Sequence, residues 1–156
     1  MIAGVFLFVP GTLQPFSEGG QEDIVTVNRV ADGLSLNDLS DSKQPHVLNE
    51  SCVEGFFNDT IDACGYTSGD PGEYVGIKEP QGINVTLQGN ISGSTSNTIL
   101  YYNGSKPPGD RLAASDSTDA TRLAIGERSP EIGSSVTARR VVSVDDKDIF
   151  LVVKVW

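Results

Sequence analysis

Residues that could catalyse a reaction are scarce in this sequence. His46 is the one histidine, so a Ser-His-Asp or Cys-His site would have to include it. The chain has neither a nucleophile elbow nor a phosphate-binding glycine motif. We interpret His46 as a surface or strand-edge residue and expect a protein that is not an enzyme, with no cofactor and no recognisable small-molecule substrate. An enzyme would need His46 in a pocket beside a nucleophile.

Acidic residues form two small groups that resemble cation ligands. Asp116 and Asp119 form one group, and Asp145, Asp146 and Asp148 form the other. Neither has the spacing of an EF-hand loop. We interpret both as solvated turns and expect no metal site, with weak cation binding as the alternative.

The two cysteines, Cys52 and Cys64, lie twelve positions apart. A pair so close, with no other cysteine, predicts one intrachain disulfide in an exported protein. Closing a loop of this size would stabilise the fold by about 3 kcal/mol. Zinc would need further ligands, which a single distant histidine cannot supply. Two unpaired buried thiols are the alternative.

Asparagine occurs in five Asn-x-Ser/Thr triplets, more than chance would place in a chain of this composition. The excess indicates an N-glycosylated surface, and hence an exported protein. Turn asparagines beside abundant serine and threonine are the alternative. The candidate acceptors are Asn49, Asn58, Asn84, Asn90 and Asn103.

The chain is short and strongly acidic. Its 156 residues suit one domain with a real core, and 21 acids against 11 bases give a net charge of -10. Such a chain repels phosphate backbones, and Arg139-Arg140 is too small a basic patch to bind them, so we expect no nucleic-acid partner. A carboxylate-rich coat with few lysines suits high salt. An ordinary acidic surface is the alternative.

Hydrophobic periodicity predicts an amphipathic helix over Gln21–Leu36, with Asp and Glu in its first turn or off its apolar face. Turn-forming residues follow it, and Pro45 closes the segment. The apolar face comprises Ile24, Val27, Val30, Ala31 and Leu34.

Alternation predicts an antiparallel sheet in the second half of the chain. Ile83–Gln88 alternates strictly, and Thr98–Tyr102 is its expected partner. The strongest signal predicts a hairpin of Ser135–Val144 and Ile149–Trp156, joined by four residues. We expect the helix to cover the face formed by Ile149, Leu151, Val153 and Val155. The predicted class is α+β: one helix on an antiparallel sheet that ends in a C-terminal hairpin.

The intervening stretches are rich in turn-forming residues. Asn103–Ser135 is interpreted as a long surface loop with a short helix near Ala120–Ile125. An edge strand is expected at Tyr74–Ile77, and a short apolar piece at Val53–Phe57.

Met1–Val9 carries no charged or polar side chain, and Pro10-Gly11 ends the run. Nine helical residues would cover about 14 Å, roughly half of a ~30 Å hydrocarbon core. A signal peptide would have a basic start and a small-residue cleavage site, whereas the first cation here is Arg29. The run is therefore either a buried core segment or the end of a longer hydrophobic helix.

We favour the hydrophobic helix, which divides the chain into an apolar stalk (1–16) and a single β-rich head (17–156). Pro10 and Gly11 would form the joint between them. The stalk is expected to act as an anchor through Ile2, Val5, Phe6, Leu7, Phe8 and Val9.

Several of these features together resemble the small pilin-like secreted proteins of halophilic archaea, related to type IV pilins with class III signal peptides. They are the apolar stub with Phe8-Val-Pro-Gly11, the amphipathic helix, the cysteine pair and the strand Val136–Val144. The resemblance implies a β-rich head outside the cell and an N-terminal helix that anchors the subunit or forms a filament core. It also implies that this sequence lacks the start of that helix, since no processing site is present.

The expected function is that of a non-enzymatic cell-envelope or pilus-like subunit on the extracellular face. Its expected partners are the membrane or other pilin-like subunits, reached through the N-terminal segment. The alternative is a monomeric exported binding module of the adhesin type.

The charge composition predicts that stability depends on salt. Self-repulsion among 21 acids with 11 bases is screened as the Debye length falls from about 30 Å at 0.01 M to about 3 Å at 1 M salt. We expect the midpoint of thermal unfolding to rise from low to molar NaCl, with KCl as the control. A flat or falling midpoint would contradict the halophilic interpretation.

Overall fold

A helix opens the described part of the chain and a long β-hairpin closes it. The computed structural model describes residues 18–41, 44–58, 64, 82–91, 96–126 and 135–156. The helices are α1 (Glu18–Gly33), which continues into a π-helical turn (Leu34–Asp38), and α2 (Glu50–Asn58). The strands are β1 (Ser40–Asp41), β2 (Gln44–Leu48), β3 (Ile83–Gly89), β4 (Thr98–Ile99), β5 (Tyr101–Tyr102), β6 (Leu112–Ala113), β7 (Thr121–Arg122), β8 (Ala124–Gly126), β9 (Val136–Val144) and β10 (Lys147–Val155). The described residues have the predicted α+β class.

The main sheet has the strand order β1-β2-β9-β10-β3-β4, and β8 also pairs with β3. All of its pairs are antiparallel except β2 with β9, which meet at Val47 and Ser143. The prediction of a wholly antiparallel sheet is therefore wrong in this respect. A tight turn imposes antiparallel pairing only on strands it joins directly, and β2 and β9 are distant in sequence.

The partner of β3 also differs from the prediction. Its long partner is β10, paired from Ile83 with Val155 to Gln88 with Phe150. Of the predicted partner Thr98–Tyr102, only β4 pairs with β3. The second half is β5, which pairs with β6 and β7 in a separate small sheet. Strands β3 and β10 are distant in sequence, so alternation alone could not identify β10 as the long partner of β3.

The C-terminal hairpin is tighter than predicted. Lys147 pairs with Val144, which leaves a turn of only Asp145 and Asp146. Both residues have positive φ, 52° and 61°. Two left-handed central residues make a turn whose twist matches that of the strands, and aspartate tolerates this backbone. Lys147 and Asp148, predicted as loop, therefore belong to β10.

Helix α1 packs on β9 and β10, as predicted. Ile149, Leu151, Val153 and Val155 are at most 1% exposed, and β3 extends this buried face through Val85 and Leu87. The buried side of the helix comprises Val27, Val30, Ala31 and Leu34. Burial of this face is the main source of stability that the helix and the sheet share.

The start of α1 does not follow the predicted pattern. Ile24, predicted on the buried face, is 50% exposed, and its neighbour Val25 is 65% exposed. Continuous burial of the helix begins only at Val27. Helical periodicity gives the direction of a side chain but does not tell where along the helix the sheet ends.

An ion pair also joins α1 to β9. Arg140 donates from Nε to Asp32 Oδ1 at 2.8 Å and from Nη2 to Asn28 Oδ1 at 2.9 Å. Of the basic pair Arg139-Arg140, Arg140 thus forms an ion pair with an acid of the helix. Because both partners are partly exposed, the pair adds little stability and mainly fixes the rotation of the helix.

Helix α2 was not predicted as a helix. Asn49 caps it, because its Oδ1 accepts hydrogen bonds from the backbone N–H groups of Ser51 (2.9 Å) and Cys52 (3.2 Å). Its apolar residues at positions i, i+1, i+4 and i+5 are buried: Cys52, Val53, Phe56 and Phe57. The helix is short, so its periodicity was too brief to recognise.

The short helix predicted near Ala120–Ile125 is wrong. This segment forms β7 and β8, and between them Leu123 is fully buried and donates its N–H to the carbonyl of Leu100 at 2.9 Å. Distant backbone partners decide this conformation. The stalk 1–16 and the predicted strand Tyr74–Ile77 lie outside the described residues.

We expect Leu34→Ala to lower the free energy of unfolding by about 2–5 kcal/mol, because it leaves a cavity between α1 and the sheet. The matched variant Ile24→Ala should change it by less than about 0.5 kcal/mol, since that side chain is half exposed. Urea unfolding monitored by Trp156 fluorescence measures both. Equal losses would contradict the helix placement.

Candidate functional site

Glu50, at the start of α2, accepts hydrogen bonds from two side chains, one polar and one charged. The Tyr102 hydroxyl donates to Glu50 Oε1 at 2.7 Å, and Arg111 Nη1 donates to the same oxygen at 2.9 Å. Tyr102 comes from β5 and Arg111 directly precedes β6. The carboxylate therefore joins helix α2 to the small sheet.

The loop 103–111 is fastened to the tip of the C-terminal hairpin. Asp145 accepts hydrogen bonds from the backbone N–H of Gly109 at 2.7 Å and of Arg111 at 2.9 Å. Lys147 Nζ donates to the carbonyl oxygen of Gly109. A long polar loop is thereby held in one conformation by two side chains of the hairpin.

The burial of Asp145 contradicts one prediction. This residue was predicted to lie in a solvated turn, but it is only 8% exposed. Two backbone amides compensate for the loss of water around its carboxylate. No sequence signal identifies this role, because the donors lie more than thirty residues away. Asp146 and Asp148, by contrast, are exposed.

A polar cleft of about 320 Å³ lies between this cluster and β2. Its two hydroxyl-bearing residues, Ser51 and Ser143, could donate hydrogen bonds to a ligand, and its carboxylates are those of Glu50, Asp145 and Asp146. His46 is exposed on β2 and is not part of the lining. The lining residues are Val47, Leu48, Asn49, Glu50, Ser51, Pro108, Ser143, Asp145 and Asp146.

The described part of the chain contains no candidate metal site. No group of three or more His, Cys, Asp or Glu residues there could hold a metal ion. The carboxylates of Glu50 and Asp145 are instead occupied by donors of the protein itself. The lining of the cleft offers carboxylate and amide oxygens as hydrogen-bond acceptors and two serine hydroxyl groups as donors.

Cys52 and Cys64 form a disulfide in the structure, with their Cα atoms 5.5 Å apart. This separation lies within the range for disulfides, as the sequence analysis predicted. Because Cys52 is buried on α2, the bridge ties Cys64 to the core.

The five candidate glycosylation sites differ in accessibility. Asn49, Asn58 and Asn90 are exposed, and Asn84 is partly buried on β3. Asn103 is only 8% exposed; its Nδ2 donates to the carbonyl of Thr118 at 3.3 Å and its Oδ1 accepts from the N–H of Ser105 at 2.9 Å. Asn103 thus shapes the loop, and its burial argues against a glycan there.

A family model described as a family of unknown function, DUF7287, matches residues 1–156. The chain belongs to this family. No match was found among characterised proteins. Solved structures gave no match either.

The candidate anchor of this DUF7287 chain, with Ile2, Val5, Phe6, Leu7, Phe8 and Val9, lies outside the described residues. Within the described ranges, no helix is both long and apolar enough to cross a membrane. The described end nearest to the anchor is α1, where Ile24 and Val25 are exposed.

Burial, and next to it the hydrogen bond to Glu50, raises the pKa of the Tyr102 phenol above its ordinary value of 10.0. The carboxylate also disfavours a phenolate nearby. The stabilising effect of this shift is complete below pH 10 and is lost as the pH rises through the folded-state pKa.

We therefore expect one of the four tyrosines to ionise later than the others in absorbance titration at 295 nm. Tyr102→Phe should abolish this late transition and make the loss of stability above pH 10 less steep. Tyr101→Phe, which leaves the bond to Glu50 intact, should retain both. A late transition that survives Tyr102→Phe would contradict the assignment.

Proposed function

We propose that this chain is a non-enzymatic cell-envelope or pilus-like subunit, anchored or assembled through its N-terminal segment. The observation that carries the proposal is the gradient of burial along α1. Val27, Val30, Ala31 and Leu34 are at most 2% exposed, whereas Ile24 and Val25 are at least half exposed. The helix thus belongs to the head at its C-terminal end and presents apolar side chains to its surroundings before Val27.

The stalk that precedes α1 is also rich in apolar residues, although Glu18–Asp23 at the start of the helix is polar. Phe6, Leu7, Phe8 and Val9 are all large and apolar, and exposing them together would give a patch that a soluble monomer seldom tolerates. A stalk (1–16) that enters a membrane or packs on the stalks of other subunits would remove this surface from water. The head (17–156) would then project outward.

Features of the head support a location on the extracellular face of the envelope. A disulfide suits an oxidising compartment, and three candidate glycosylation sites, Asn49, Asn58 and Asn90, are exposed. The net charge of -10 suits the high salt in which halophilic archaea live. These features agree with the resemblance to pilin-like secreted proteins of such archaea.

The second candidate is a monomeric exported binding module of the adhesin type. The polar cleft of about 320 Å³ beside Glu50 favours it, because the loop 103–111 that borders it is held in place by Asp145 and Lys147. A preorganised loop lowers the entropic cost of binding. This module would retain its function without the stalk.

The test replaces three stalk side chains in the full chain: Phe6→Ser, Leu7→Ser and Phe8→Ser. We expect the unmodified chain to float with phosphatidylcholine vesicles or to sediment as oligomers in molar NaCl. The triple variant should do neither, and should unfold at the same temperature as the unmodified chain. The matched control is Leu36→Ser, which removes an exposed apolar side chain from the head.

Two outcomes would overturn the proposal. If the three side chains are part of the core, the triple variant loses about 6 kcal/mol or more and its unfolding midpoint falls sharply. If the unmodified chain is monomeric and does not bind vesicles, the stalk does not act as an anchor, and the binding module becomes the better interpretation.

A further inference from the structure

The sheet has a second face, opposite the helices, whose composition follows from the strand registers. Residues paired across neighbouring strands lie on the same face, so the pairings define rows that cross β9, β10, β3 and the edge strand. One row is Val141, Phe150, Gln88 and Ile99. The next is Arg139, Val152, Thr86 and Ala124, and the third is Thr137, Lys154, Asn84 and Gly126.

Neither described helix covers the three rows, although α2 borders the face. Its residues Glu50 and Ser51 share a cleft with Ser143, and its last residues, Phe57 and Asn58, share another with Arg122 and Ala124. The buried residues of α1 and α2 belong to the same core cluster as the other face of β10, whereas Val152 is buried outside that cluster. Val141 is 57% exposed on β9, and Arg139 and Thr137 beside it are exposed as well. Val141 is therefore the exposed end of a row whose other apolar residues, Phe150 and Ile99, are partly buried.

This face has a net positive charge, whereas the chain as a whole is negatively charged. Arg139 and Lys154 project from it, and Arg122 borders its groove of about 380 Å³ together with Asn84 and Thr86. Asp148 is the one acid that the register places on it. Three cations and one acid give +2, so with -10 for the whole chain the remaining residues carry -12.

We propose that this second face is an interface that docks on the acidic surface of another copy of the chain. A cationic and apolar patch is complementary in charge to the remaining residues, which together carry -12. Four strands about 4.8 Å apart and three rows about 6.8 Å apart cover roughly 400 Å², half of one partner's side of a standard interface. The contact is therefore weak between free molecules and effective where many copies are held together.

Two other polyanions fit this face less well. A nucleic acid offers phosphates but no apolar counterpart to Val141 and Phe150. Each cation near an anionic lipid surface contributes about 1 kcal/mol, too little to overcome the acidic remainder of the chain. The high local concentration that favours a second copy rests on the proposed envelope role.

Salt weakens the two electrostatic contributions to this contact to different extents. Repulsion between whole molecules of charge -10 acts over long distances and is screened by molar salt. Ion pairs at contact distance are screened less, and the apolar row does not depend on charge. We therefore expect the docking to strengthen from low to molar NaCl.

The experiment introduces a photoreactive benzoylphenylalanine in place of Val141 in the full chain. Irradiation in 2 M NaCl is expected to give a covalent dimer, whose crosslinked peptide from the second copy contains Asp or Glu. The same probe in place of Asp116, which is exposed between β6 and β7, should give little dimer. Arg139→Glu should reduce the yield from Val141 at least about tenfold.

The matched control is Lys106→Glu, which makes the same change of charge at an exposed residue of the loop 103–111. It should leave the yield unchanged, and the thermal midpoints of both variants should stay close to that of the unmodified chain. Equal losses in the two variants, or no dimer at millimolar concentration, would overturn the proposal. Crosslinking to phosphatidylglycerol in added vesicles, in place of dimer, would overturn it in favour of a lipid surface.

The proposed anchor is tested separately, by repeating the experiment with serine at positions 6 to 8. If the dimer persists while vesicle binding of the unmodified chain is absent, the interface stands and the anchor does not. If vesicle binding is present but Val141 gives no dimer, the anchor stands and the interface is wrong.

Discussion

Burial of the inner face of β10 is the interaction on which the rest of the structure depends. Ile149, Leu151, Val153 and Val155 are at most 1% exposed. On one side β9 pairs with the whole strand, and on the other β3 pairs with six of its residues. Helix α1 lies across this face, so without it neither α1 nor β3 would have a surface to pack against.

The basic residues are few, and several of them stand at joints between elements. Arg140 joins α1 to β9, Arg111 joins the small sheet to α2, and Lys147 joins the hairpin tip to the loop 103–111. In a chain with 21 acids and 11 bases, such placement gives each joint an attractive contact within a repulsive background. The local contacts are 3.0 Å or shorter where a distance is given, and added salt weakens them less than it weakens the general repulsion.

The features that could be predicted from the sequence are those set by local periodicity. The alternation in β3, β9 and β10 and the helical spacing in α1 gave the α+β class and the buried face of the hairpin. The extent of burial at Ile24, the parallel pairing of β2 and the role of Asp145 depend on residues distant in sequence. No local pattern distinguishes a buried aspartate that accepts two backbone amides from a solvated one.

The candidate site shows the same division. Asn49 was singled out as a sequon, yet in the structure its amide oxygen also caps α2. The cysteine pair was recognisable because its spacing is short and its chemistry specific. The cluster of Glu50, Tyr102 and Arg111 was not, because Glu50 lies more than fifty residues from the other two and each residue is ordinary in its own segment.

The position of the hairpin in the chain has a consequence for the order in which the protein folds. A ribosome completes α1 long before it makes β9 and β10, the strands that cover the apolar side of this helix. Until residues 136 to 155 emerge, Val27, Val30 and Leu34 lack the strands that they pack on in the folded protein and remain accessible to chaperones. The apolar side of α1 is therefore covered only after the hairpin of β9 and β10 has been synthesised.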